Sequence, residues 1–144
     1  MSETRVSYHT KADLRQSEKG VVLYLSIPML PPASQSPNSR AHWAVKARER
    51  KQFMSVVSIC ILAAGHKNRF LKRARIDMEF ITSARRRHDT DNTLIRGAKP
   101  LGDCLVAMGV IVGDEDDKLE WGTPAWTVKR KEPGWTMVRI TEIR

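Results

Sequence analysis

Apolar and polar residues alternate along residues 21–29. Val21, Leu23, Leu25 and Ile27 share one face, and Val22 and Tyr24 make the other partly apolar, which predicts a strand. Pro31-Pro32 ends it, and residues 31–41, rich in Pro, Ser and Asn, form a loop. From residue 42 to 64 the spacing becomes helical: Phe53, Val56, Val57, Cys60, Ile61 and Ala64 fall on one stripe, with Gly65 as the stop. Residues 73–82 predict a second strand, because Ile76, Met78 and Phe80 alternate with Arg75, Asp77 and Glu79.

After the polar run 83–92, Leu94, Ala98, Leu101, Leu105 and Met108 step by four, three, four and three, the signature of a second helix. Asp91 or Asn92 can cap it. Pro100 predicts a kink near Gly97 or a restart near Ala98, since it removes a hydrogen bond and crowds the preceding turn. Residues 110–112 are a short strand candidate and 113–118 an acidic turn. Residues 119–130 and 135–143 predict a closing hairpin joined through Glu132-Pro133-Gly134. Trp121, Trp126 and Trp135 belong to its packing, with stacking on an exposed base as the sharper alternative. The order is that of an α/β or α+β domain, a mixed sheet with two main helices packed on it. It spans residues 21–144, behind a polar, mixed-charge stretch 1–20 read as a flexible arm.

At 144 residues and 41% hydrophobic, the chain is long and apolar enough to bury a core of its own. No apolar run reaches the length of a membrane span, and no signal-peptide pattern opens it, so no membrane partner is expected. Cys60 and Cys104 make neither a disulfide framework nor a zinc site. They are expected as buried reduced thiols in a cytoplasmic, reducing compartment. The net charge of +9 points to a polyanionic partner, DNA being one of several.

The candidate chemistry lies between residues 88 and 117. In an extended segment Asp89 and Asp91 project to the same side and repel unless a cation lies between them. Magnesium takes one or two carboxylates with water and phosphate oxygens. Arg85, Arg86, Arg87 and His88 stand directly before the pair, as phosphate binding would require. A second acid group, Asp114-Glu115-Asp116-Asp117, follows residues 110–112. If that strand lies beside the one leading to Asp89, Asp114 faces the first pair and three carboxylates converge. Solvated loop acids are the plainer alternative for both groups. Lys99 and Asp103, four apart on the helix, form either a surface ion pair or a lysine poised over a scissile phosphate.

The run Arg86-Arg87-His88-Asp89-Thr90-Asp91-Asn92, then Lys99, Asp103-Cys104-Leu105, Gly109-Val110-Ile111 and Gly113-Asp114 resembles the RusA-type Holliday junction resolvases. Upstream, Ile27-Pro28 and Pro31-Pro32 with Asn38 resemble that family's strand and Pro-rich loop. The likeness covers residues 21–117. It implies a RusA-like fold and a two-fold homodimer, bacterial or phage-encoded, that cuts branched DNA symmetrically with magnesium or, in its place, manganese. By the same likeness Asp89 and Asp91 match the two metal-binding aspartates, Asp114 the distal acid and Lys99 the catalytic lysine. Asn92 and Asp103 match supporting positions. Four extra residues separate Asp91 from Lys99, which leaves Arg96 as an alternative lysine equivalent. Asp116 could replace or assist Asp114.

The expected function is therefore magnesium-dependent hydrolysis of a DNA phosphodiester at a Holliday junction. Asp89, Asp91 and Asp114 hold the metal, and Lys99 adds charge. Asn38, Arg40, Lys46, Arg48, Arg85, Arg86, Arg87 and His88 position the DNA backbone. A non-catalytic basic binding module and a nuclease for another DNA structure are the alternatives.

Overall fold

The computed structural model describes residues 20–37, 39–83, 90–129 and 131–143, and for 90–95 the backbone alone. Residues 1–19 of the expected arm 1–20, Asn38, the run Arg85, Arg86, Arg87, His88 and Asp89, and the side chains of Asp91 and Asn92 lie outside the described residues.

The fold is α+β, a mixed five-stranded sheet with two helices. The elements run β1 (Val22–Ile27), a 3-10 turn (Ala33–Gln35), α1 (Trp43–Ala64), β2 (Ala74–Thr82), α2 (Thr90–Ala107), β3 (Leu119–Trp121), β4 (Ala125–Val128) and β5 (Trp135–Glu142). β5 lies between β1 and β2 and is antiparallel to both. On the other edge of β2, β3 pairs with its start and β4 with its end, both parallel.

The alternation read from sequence sets which face is buried. Leu23, Leu25 and Ile27 of β1, Ile76, Met78 and Phe80 of β2, and Val138 and Ile140 of β5 enter one core cluster. Phe53, Val57 and Ile61 of α1 meet them there, as do Leu101, Cys104 and Leu105 of α2. The stripe foreseen for α1 is narrower than its spacing suggests, since Val56 and Cys60 are half-buried and Ala64 is exposed. Cys104 is buried, whereas Cys60 is only partly covered. Burial pushes both thiols up from their ordinary range. α1 is capped by His42, whose Nδ1 accepts from the amide of Ala44 at 3.1 Å. It ends on Gly65 at φ 75°, a left-handed position that glycine adopts without a Cβ clash.

Four expectations are corrected. There is no closing hairpin, because β4 and β5 lie on opposite edges of β2. β2 is nine residues long and central, and both of its edges carry backbone groups that need partners. Period-two spacing fixes a strand's face and says nothing of its neighbour. The stretch 119–130 is two short strands, broken around Gly122 and Pro124, the latter lacking an amide to donate. Residues 110–112 form only an isolated parallel bridge, Ile111 to Leu71, ahead of β2. α2 runs uninterrupted through Pro100 from Thr90. Asp91 and Asn92 therefore stand inside its first turn rather than capping it, and the segment is not extended at Asp91.

No described helix is long and apolar enough to cross a membrane.

Candidate functional site

α2 carries two kinds of surface. Leu101, Cys104 and Leu105 turn into the core. Lys99 and Asp103, on the side away from it as the helical wheel requires, meet the other elements. The Lys99 ammonium lies 3.0 Å from Oδ1 of Asp103 and 3.5 Å from Oδ2 of Asp114. Asp103 in turn accepts from the guanidinium of Arg50 on α1. Four charged groups from α1, α2 and the loop after residue 112 thus form one chain: Arg50, Asp103, Lys99, Asp114.

Packing explains why Asp114 arrives there. Residues 108–112 dock against 68–71 through backbone hydrogen bonds, among them Phe70 N to Gly109 O at 2.7 Å and Val112 N to Leu71 O at 2.9 Å. This delivers the following turn to the open side of α2. The turn passes close to Gly102, yet leaves room for a side-chain methyl there. A Cβ built there would stand 3.9 Å from Asp114 Oδ2 and 3.7 Å from the Trp121 ring. Ala98, Lys99, Gly102, Asp114, Leu119 and Trp121 line a cleft of about 370 Å³ open to solvent. Asp116 is exposed in the same turn and does not line it.

Electrostatics favour a charged lysine. The hydrogen bond and charge of Asp103, then the charge of Asp114, push the Lys99 ammonium up from its ordinary range. The Lys99 side chain is still 68% exposed. Its ion pairs therefore contribute little to folding, and it remains accessible to an anion.

Arg96, the other candidate for this role, is turned elsewhere. Its guanidinium donates to the carbonyls of Pro31 and Pro32. It is half-buried, and that desolvation lowers its affinity for its proton. Beside it, Gly97 packs so tightly on Pro31 that a Cβ would come within 2.9 Å of the ring. The Pro-rich loop is thereby held on α2, and Gln35 ties it to α1 through Lys46 O at 2.8 Å. Arg40 and Arg48 are exposed near the start of α1, and Lys46 donates to Ser39 O at 3.0 Å.

Of the expected site residues, Lys99, Asp103 and Asp114 meet. Asp89 and the Asp91 carboxylate are outside the described residues, and so is their meeting with Asp114. Eight residues of helix put the Asp91 backbone about 12 Å from that of Lys99 along the axis. Residues 110–112 dock ahead of β2, at Leu71, and not beside its end, where the chain leaves for Asp89. Among the described residues no three His, Cys, Asp or Glu side chains come together as a metal-binding group. The candidate ligands are all carboxylates, the donor type magnesium takes, and the Asp114 carboxylate is paired with the Lys99 ammonium. Arg50 as a partner of Asp103 was not foreseen, because an ion pair 53 residues apart leaves no periodic signal.

Set against known proteins, the chain matches no protein-family model and no curated protein.

Proposed function

We propose that this chain is a magnesium-dependent endodeoxyribonuclease of the RusA type, a homodimer cutting branched DNA in a reducing, cytoplasmic setting. The observation that carries the reading is the Lys99 ammonium, exposed and shared by Asp103 and Asp114, on the helix that begins at Thr90, the residue between Asp89 and Asp91 in sequence. A structural ion pair needs one carboxylate. A lysine with two, at the lip of an open cleft, is suited to accept a phosphate oxygen in place of one of them.

In this reading Asp89, Asp91 and Asp114 would hold magnesium or manganese, which when bound supplies Lewis acidity and a water of lowered pKa. Lys99 binds a non-bridging oxygen of the scissile phosphate and meets the charge that develops on it. Asp103, tied to Arg50, orients that ammonium. Arg40, Lys46, Arg48, Arg85, Arg86, Arg87 and His88 hold the flanking backbone, with Asn38 in the Pro-rich loop beside them. Two symmetric cuts call for two such sites related by a two-fold axis.

The test is a four-way junction labelled on each strand, incubated with the protein in magnesium, in manganese and in EDTA. Paired nicks near the branch, carrying 5′-phosphate and 3′-hydroxyl ends and absent in EDTA, are expected. Binding without nicking in either metal contradicts the reading and leaves a basic binding module. Nicking of flaps or plain duplex in preference to the junction keeps the chemistry and changes the substrate.

A further inference from the structure

Trp43 opens α1 with 74% of its surface in solvent. An indole left this exposed forgoes the burial that such a side chain usually contributes. The other three tryptophans are half-buried. Trp126 packs on Phe80 with ring centroids 5.1 Å apart, and Trp135 donates its indole N–H to Ser26 Oγ at 2.6 Å.

The Trp43 ring has an aromatic neighbour. It lies against the imidazole of His42, centroids 5.4 Å apart. That imidazole accepts the capping bond from the Ala44 amide. The surroundings are cationic: residues 40–51 contain Arg40, Lys46, Arg48, Arg50 and Lys51 against Glu49 alone. Seven residues return a helix to within about 20° of the same face, so Trp43 and Arg50 share a side of α1 about 10 Å apart. Arg50 is the outer member of the chain that ends at Lys99 and Asp114.

A solvent-facing aromatic plate within a positive field matches one kind of ligand, a nucleotide whose base is unstacked and whose phosphate is near. Stacking on the indole is indifferent to base identity, because every base has a π-face. A regular duplex offers no such face, since its bases are stacked on each other. We propose that Trp43 stacks on an unpaired base of the DNA, with Arg40 and Lys46 on the adjoining phosphates, so that the protein prefers DNA opened at a branch or single strand over closed duplex. This rests on the proposed DNA substrate and not on cleavage.

The test is fluorescence anisotropy in EDTA, where no cleavage intervenes. The probes are a labelled oligo-dT, a four-way junction and a duplex of equal length. The proteins are the wild type, Trp43→Ala and Trp43→Phe, with thermal melts confirming that each is folded. Trp43→Ala is expected to lose about tenfold or more in affinity for oligo-dT and the junction, and little for duplex. Trp43→Phe is expected to keep most of the affinity. The slope of log K against log salt should not change, because no charge is removed. Equal losses on all three probes, or none on oligo-dT, would overturn the inference. So would a wild-type protein that binds none of them, or a dimer that becomes monomeric on Trp43→Ala. Discrimination for oligo-dT with no nicking in magnesium would leave Trp43 its role and remove the nuclease.

Discussion

Lys99 has two carboxylate partners and yet stands mostly in water, and the two facts have different consequences. The water makes its ion pairs nearly worthless to folding. The partners raise its pKa, so that it stays charged to higher pH. Lys99→Met should leave thermal stability unchanged within error and lower the junction cleavage rate by about a hundredfold or more, the usual cost of removing a group that meets developing charge. Asp103→Asn should act through the lysine, and a pH profile separates that from simple misfolding. Asp103 is the largest cause of the raised Lys99 pKa, so its loss moves the lysine downward. The proposed reaction uses the protonated form. The alkaline limb of the rate profile should therefore shift to lower pH in Asp103→Asn, and Asp103→Glu should restore part of it. The same sign holds for folding: whatever the paired ammonium contributes is present at neutral pH and lost as pH rises through the raised pKa. An unshifted limb in Asp103→Asn would show that Asp103 acts only on structure.

α2 holds two buried glycines whose surroundings differ by less than an ångström, and that difference sets opposite signs. At Gly102 an added methyl meets Trp121, Asp114 and Leu119 at 3.7–3.9 Å, ordinary contact. Gly102→Ala should raise stability by about 0.5–1 kcal/mol, since alanine loses less backbone entropy in a helix. At Gly97 the methyl meets the Pro31 ring at 2.9 Å, with no long side chain to give way. Overpacking costs about 1–3 kcal/mol and exceeds the propensity gain. Gly97→Ala should therefore lower the midpoint in urea while Gly102→Ala raises it. A rise in both would mean that the Pro-rich loop is not seated on α2. Elements of this kind were legible wherever periodicity is strong: both helices, β1, β2 and the buried faces follow from the spacing of Leu23, Ile76, Phe53 or Leu105. What spacing could not supply was partnership. It gave no sign that β4 would pair with β2 and not β5, nor that Arg50 would reach Asp103 or Arg96 the carbonyls of Pro31 and Pro32. The candidate site was half legible in the same sense. Lys99 and Asp103 are four apart on one helix and were readable as a pair, whereas the arrival of Asp114 depends on how residues 108–112 dock at 68–71.

For the whole molecule, the proposed DNA binding would be chiefly electrostatic, given the charge of +9 and the exposed arginines around the start of α1. Duplex binding should weaken by about a hundredfold or more between roughly 50 and 200 mM salt, measured by anisotropy in EDTA. A salt-independent affinity would remove the phosphate-binding role given to these residues. The proposed metal site sets a harder requirement, because it asks Asp91 in the first turn of α2 and Asp114 in the turn after residue 112 to act together. A crystal soaked in manganese, with data collected at the manganese absorption edge, examines that requirement directly. The account predicts one or two anomalous peaks that between them are bonded to carboxylate oxygens of Asp89, Asp91 and Asp114, at about 2–2.5 Å. A fully occupied peak elsewhere, or none at these three side chains at saturating manganese, would contradict it.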